Sequence, residues 1–185
     1  MILYKDILEV GPEIQEKVRV WRNSPRVKKG MLVQADVTGR QHRTWLDFLH
    51  EKRAMNKVRV AFSDRIPFGI VNLRDIDENS GTCDWGVYIG EDAFLGRGLG
   101  RRLVFDTHLW GFGEQKMRKM HTSVRADNLK ALFSYLELGH RVEGLLQDHI
   151  RTPEGDLIGV YLIAQFCGAW DKNKEKASSW GLIGE

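Results

Sequence analysis

Two cysteines, Cys83 and Cys167, are too few to build a disulfide framework and give no basis for a metal site. No apolar run approaches the ~20 residues that a membrane-spanning helix needs, so no membrane partner is expected. The opening stretch MILYKDILEV lacks the basic-then-apolar order of a secretory signal. These absences predict a cytoplasmic protein with reduced thiols. Charge is nearly balanced: 28 basic against 25 acidic residues leave a formal +3, too slight and too evenly spread for a nucleic-acid partner. There is also no internal repeat, linker or second domain. One domain is expected over residues 1–167, followed by a polar tail, 168–185, read as partly disordered.

What is present is a globular balance of 42% apolar and 29% charged residues in a chain of 185, long enough to enclose one core. A first strand is predicted at 2–5, then a helix from Pro12 to Arg22, with Pro12 suited to a first turn. Asn23, Ser24 and Pro25 break the chain. Trp45, Leu46, Phe48 and Leu49 recur at helical spacing and predict a second helix over 41–53. Strands follow at 58–62 and 68–73, separated by a polar turn. Residues 83–89 alternate, with Cys83, Trp85, Val87 and Ile89 on one face and Asp84, Gly86 and Tyr88 on the other. Gly86 within that strand suggests a bulge or a close backbone approach. After a glycine-rich turn come a helix to about Phe112, a strand at 121–124, a helix over 128–138, and strands near 142–151 and 157–165. The order implies one mixed α/β sheet with helices on its faces.

The glycine-rich turn reads Phe94-Leu95-Gly96-Arg97-Gly98-Leu99-Gly100-Arg101-Arg102. Alternate glycines between a strand and a helix let backbone N–H groups approach an anion, and the helix start adds partial positive charge. Arg97, Arg101 and Arg102 supply cations around it. A pyrophosphate is the natural guest. A P-loop is excluded because Arg101-Arg102 stands where Lys-Ser/Thr is required. A Rossmann fingerprint is excluded because the third glycine comes too early and no acid-ended strand follows.

The turn resembles motif A of the GNAT N-acetyltransferases, Gln/Arg-x-x-Gly-x-Gly/Ala, which cradles the pyrophosphate of coenzyme A. Gly98 and Gly100 match its small positions; Leu95 departs from the usual Gln or Arg. Further on, Val124-Arg-Ala-Asp-Asn-Leu-Lys-Ala-Leu-Phe-Ser-Tyr-Leu-Glu-Leu-Gly-His resembles the family's motif B, with His140 in place of the usual phenylalanine, taken as a packing variation. The resemblance implies the GNAT fold: a mostly antiparallel sheet of about seven strands, splayed between strands four and five, with about four helices. It implies acetyl-CoA as cosubstrate and no metal. Coenzyme contacts would come from Tyr88, Ile89, residues 95–102 (Leu95, Gly96, Arg97, Gly98, Leu99, Gly100, Arg101, Arg102), Asn128 and Tyr135. Asn128 would bind the pantetheine arm. Tyr135 would be the general acid, since a phenol with pKa ~10 can protonate a departing thiolate whose thiol has pKa ~8.5. The backbone N–H of Tyr88 would face the developing oxyanion. Asp84 falls where some members carry a general base, acting directly or through water.

The resemblance implies a primary amine as acceptor. The order Trp21-Arg22-Asn23…Val27…Met31…His42-x-x-Trp45 resembles the GNAT enzymes of pseudaminic acid biosynthesis, which acetylate the 4-amine of a UDP-linked 4-amino-4,6-dideoxy sugar used in flagellin glycosylation. This implies a nucleotide-sugar substrate touched by Arg22, Asn23, Trp45 and Asn72, with Arg26 a second phosphate candidate and Trp21 a second stacking candidate. The alternatives are a protein amino terminus, a polyamine or an aminoglycoside, and, in another class, a CoA-binding regulatory module without turnover. An exposed sheet edge could pair two subunits, which leaves a homodimer open.

Overall fold

The computed structural model describes residues 2–174. Seven strands form one sheet in the order β1-β2-β3-β4-β5-β7-β6. They span Ile2–Asp6 (β1), Lys57–Ser63 (β2), Ile66–Asp77 (β3), Thr82–Ile89 (β4), Lys119–Arg125 (β5), Arg141–Arg151 (β6) and Leu157–Phe166 (β7). Every neighbouring pair is antiparallel except β4 and β5, which run parallel. Six helices accompany them: Pro12–Asn23 (α1), Pro25–Lys29 (α2), Gly39–Glu51 (α3), Leu99–His108 (α4, continued by a wider turn over Leu109–Glu114), Leu129–Glu137 (α5) and Cys167–Lys174 (α6). The expected mixed sheet of the GNAT kind is therefore present.

Local chemistry sets the helix starts. Pro12 opens α1, and Pro25 opens α2 with the Ser24 hydroxyl accepting from the N–H of Val27. Thr38 and Gln41 form a reciprocal capping box at α3. The Asn128 side chain accepts from Ala131 and starts α5. The two sheet faces bury separate cores. On one, Trp85, Leu73 and Phe68 meet Leu103, Phe105 and Trp110 of the α4 segment. On the other, Val60 and Ile70 pack against Val18, Trp21 and Leu49 of α1 and α3. The alternation read in β4 is realised, with Trp85 in the first core and Tyr88 against the second.

Two helices differ from expectation. The break falls at Ser24 as expected, but a five-residue α2 follows it directly, where no helix was predicted. Residues 168–174, assigned to the polar tail, join Cys167 in α6; Trp170, 3% exposed, packs its ring 4.9 Å from Phe105. The rest of the tail, 175–185, lies outside the described residues. No helix among the described residues is long and apolar enough to cross a membrane.

The feature that positions a site is the divergence of β4 from β5. Their parallel ladder holds only Thr82–Lys119, Cys83–Met120 and Asp84–His121; β5 then continues against β7 alone. Beyond Asp84 the two strands leave a gap in the middle of the sheet.

Candidate active site

A cavity of about 780 Å³ fills this gap and extends beneath α1 and α3. Asp84, Val87 and Tyr88 of β4 line one wall, Asn128 and Tyr135 of α5 another, and Arg22, His42 and Trp45 the far end. The sequence-predicted acid, base and pantetheine contact thus converge on one space. Ile89 and residues 95–102 do not line the cavity; they follow from the end of the wall that β4 provides.

Tyr135 packs edge-on against Trp85, 5.1 Å between ring centres, and its hydroxyl has no hydrogen-bond partner among the described residues. Burial pushes the phenol up to about 12, so it is protonated at neutral pH and suited to donate. Asp84 carries an ion pair from Arg74 at 2.5 Å. Burial raises its carboxyl, and the Arg74 guanidinium opposes that rise. An upward shift moves a carboxylate toward the range useful for a general base.

The β3–β4 register corrects one sequence-derived position. The N–H of Gly90 donates to Phe68, and Tyr88 pairs with Ile70 in the same ladder, so Tyr88 directs its backbone groups at β3. The alternate residues Val87 and Ile89 direct theirs toward the gap, where β5 no longer pairs. A free N–H facing the gap is therefore Val87 rather than Tyr88, a distinction of strand parity that motif counting does not resolve. Gly86 carries no bulge, since the register runs unbroken through it. Its role is close approach: an added Cβ would lie 3.2 Å from the Asn72 side chain.

The glycine turn has the backbone expected of an anion cradle. Gly96 and Gly98 have φ of +74° and +73°, and Gly98 is the N-cap of α4 with no side chain capping the first turn. Cβ atoms at Gly96, Gly98 and Gly100 would meet nothing within 4 Å, so the space over the helix start is open. Of the three arginines, Arg101 pairs with Glu137 and Arg102 with Asp106 at 2.8 Å, which Tyr4 also reaches. Arg97 lies over the Phe94 ring. This open, uncapped cradle beside an elongated cavity fits a pyrophosphate-bearing thioester. Among the described residues no group of His, Cys, Asp or Glu could hold a metal.

At the acceptor end the candidates divide. Arg22 lines the cavity; its Nη2 donates to the Val33 carbonyl, but its Nη1 is buried without a partner. Asn72 also lines it, with Oδ1 buried and unpartnered. Trp45 stands there beside His42, 5.2 Å between ring centres. His42, which the sequence marks only as part of a pattern, is itself buried with Nε2 against the Gln15 carbonyl at 2.8 Å. Asn23 is a correction. Its amide donates to the Val37 carbonyl at 2.9 Å and accepts from the Val37 N–H at 2.8 Å, so it clamps a loop and does not line the cavity. Trp21 and Arg26 are likewise committed to structure: Trp21 is core, 4% exposed, and Arg26 binds the carbonyls of Ile89 and Gly90.

Comparison with known proteins agrees with this geometry. No curated protein matches the sequence. A spermidine N-acetyltransferase from Vibrio cholerae, solved with CoA and spermine, superposes with a TM-score of 0.81 at 16% identity, covering 91% of this chain and 97% of that one. The N-acetyltransferase PseH of Campylobacter jejuni superposes with a TM-score of 0.66 at 19% identity, covering 89% and 97%. Residues 12–139 match the acetyltransferase (GNAT) domain family. By that match, which spans more than half its length, the chain belongs to the GNAT acetyltransferase family and is an acetyl-CoA-dependent N-acetyltransferase.

Proposed function

We propose that the enzyme acetylates the primary amine of an anionic small molecule, specifically the 4-amine of a UDP-linked 4-amino-4,6-dideoxy sugar. The observation that carries this reading is the pair of orphaned polar atoms at the acceptor end. Arg22 offers a buried, unpartnered guanidinium N–H, and Asn72 a buried, unpartnered carbonyl oxygen, both lining the cavity. Buried polar groups are costly unless a partner meets them. A bound anion would satisfy Arg22, and an amine or hydroxyl donor would satisfy Asn72. Trp45 on the same wall offers a flat surface for a base or a sugar. Two acids, Asp75 and Asp84, line the cavity, and the pairing of Asp84 with Arg74 leaves less negative charge for a polycation than the count of acids suggests.

Bound acetyl-CoA supplies an activated acetyl thioester. Asp84 takes a proton from the attacking amine, directly or through water. The Val87 N–H donates to the acetyl oxygen as it gains negative charge. The Tyr135 hydroxyl gives its proton to the sulfur as the carbon–sulfur bond breaks, and Asn128 holds the pantetheine arm with the amide nitrogen that helix capping leaves available. The open backbone over Gly96, Gly98 and Gly100 holds the pyrophosphate.

The test is thiol release from acetyl-CoA across an acceptor panel: UDP-4-amino-4,6-dideoxy sugars, spermidine, an aminoglycoside and peptides with free amino termini. Turnover on the UDP-amino sugar, with KM for it raised in Arg22→Met and KM for acetyl-CoA unchanged, is the expected result. Turnover confined to spermidine would discard the anionic acceptor while keeping the enzyme.

A further inference from the structure

Between the α4 and α5 segments lie two buried histidines, His108 and His140, 0% and 4% exposed. His108 Nδ1 lies 2.7 Å from the Val104 carbonyl oxygen, and His140 Nδ1 lies 2.8 Å from the Tyr135 carbonyl oxygen. The two Nε2 atoms face each other at 3.0 Å. A carbonyl only accepts, so each Nδ1 contact needs a proton on the ring. Two neutral imidazoles carry two protons in all. Satisfying both carbonyls leaves two lone pairs opposed at hydrogen-bond distance; shifting one ring's proton from Nδ1 to Nε2 bonds the rings but opens that ring's carbonyl contact. Only a third proton completes all three bonds.

We infer that His108 and His140 form a single proton-binding site, and that His140 is a positioning residue for Tyr135. With the extra proton in place, the pair adds a ring bond to the Tyr135 carbonyl, which the His140 backbone N–H also reaches at 3.1 Å. Without it, one of the three contacts opens. The ring bond reaches the phenol through the backbone it holds and through ring contact, since the His140 and Tyr135 centroids are 5.7 Å apart and both rings pack on Trp85. Three aromatic rings pack around the pair: Trp85 from β4, Phe112 from the turn after α4 and Trp170 from α6. Among the described residues, the titratable groups facing the pair are the two rings themselves and the Tyr135 phenol. With no carboxylate to balance it, the added charge is opposed by burial, which holds both rings below the ordinary imidazole range. The proton therefore enters as pH falls, and its entry is felt at the candidate acid. The catalytic consequence rests on Tyr135 acting as proposed; the proton site itself does not.

The experiment is nuclear magnetic resonance of the whole protein, with isotope-labelled histidine rings and tyrosine carbonyls, from about pH 8 down to about pH 3. The two rings should titrate with one shared midpoint for a single proton, and the Tyr135 carbonyl signal should shift with it. In His140→Phe, His108 should hold its proton on Nδ1 throughout, and the Tyr135 carbonyl should stop responding. The pH profile of kcat should lose the limb at the shared midpoint while KM for acetyl-CoA stays within about twofold. Should His140→Phe fail to fold, His108→Phe should abolish the joint midpoint in the same way. Two independent midpoints, or a Tyr135 carbonyl indifferent to a shared one, would overturn the inference. Loss of turnover in Tyr135→Phe is read separately, so the failure of one idea is distinct from the failure of the other.

Discussion

Replacing Gly98 by alanine separates an anion cradle from a turn that merely needs glycine. Gly98 sits at φ +73°, where a residue with a Cβ costs roughly 1–2 kcal/mol. Nothing lies within 4 Å of that Cβ, so no clash adds to the strain. In a domain of this size each kcal/mol lowers Tm by about 2–4 °C, so a fall of about 2–8 °C is expected. Gly155 supplies a control: it lies between β6 and β7 at φ +100° with the same open surroundings. Gly155→Ala should melt lower by a similar amount and bind acetyl-CoA like the wild type. Gly98→Ala should also lose affinity, because the new methyl stands where the pyrophosphate must approach an uncapped helix start. Losing one hydrogen bond to a charged group is worth about 1.5–3 kcal/mol, or about ten- to hundredfold in Kd. Calorimetric titration with acetyl-CoA, run beside thermal melts of both variants, decides the matter. A Gly98→Ala protein that melts lower yet binds acetyl-CoA with wild-type Kd would refute the cradle.

Tyr135→Phe removes a hydroxyl that no described residue hydrogen-bonds, so melting should not change. Its kcat should fall roughly 10- to 100-fold with acetyl-CoA Kd within about twofold, measured by thiol release and calorimetry. Asp84 acts as a base only when ionised, and burial raises its pKa. Wild-type kcat/KM should therefore rise with pH through that raised value. Asp84→Asn should lose roughly 100-fold in rate together with that limb; a retained limb assigns the base elsewhere. The buried histidines make stability depend on pH. Burial lowers His140 to about 4, against about 6.5 in the unfolded chain, so the unfolded state binds more protons between those values. Stability is full above about pH 6.5 and is lost as pH falls toward the native value, by about 3 kcal/mol if the whole shift is realised. Urea unfolding of the wild type and His140→Phe at about pH 7 and about pH 4.5 checks this; the variant should show the shallower dependence.

Most of the sheet was legible because its strands alternate or run apolar, and the period of two survives any tertiary context. The glycine turn and α5 were legible because backbone needs fix residue types there: positive φ at Gly96 and Gly98, a capping amide at Asn128. Helix α6 was not. Its one fully buried anchor is Trp170, and the small Cys167 and Ala169 beside Asp171, Lys172 and Lys174 leave no stripe to read. The roles of Asn23 and Arg26 were misread for a related reason. A polar residue next to a chain break has the same appearance whether it meets a ligand or a backbone carbonyl elsewhere in the fold. The Val87 N–H escaped because side-chain alternation says which face a residue takes, whereas the direction of its N–H depends on the partner strand. The His108–His140 contact joins residues 32 positions apart, and no spacing rule announces it.

These misreadings share a cause that clarifies how the site is built. The amino-terminal third, where acceptor contacts were sought, spends much of its polar chemistry on the end of β4. The Trp21 ring lies so close to Gly90 that a Cβ there would be 2.1 Å from it, which only glycine permits. Its Nε1 donates to Glu91 at 3.0 Å, and Lys17 pairs with the same carboxylate at 2.6 Å. Arg26 donates to the Ile89 and Gly90 carbonyls at 3.0 Å each and to Asp92 at 2.8 Å. Residues 89–92 are thus held from the acceptor side just before the chain enters the glycine turn. The glycine turn and the amino-terminal third are joined through one short segment, so on the proposed function the same anchoring contacts would place the thioester and the amine. Reaction between them needs that shared placement, because small errors in approach cost rate steeply. With Trp21 and Arg26 committed in this way, and Asn23 to the Val37 loop, the candidates left for the acceptor we propose are Arg22, Trp45 and Asn72.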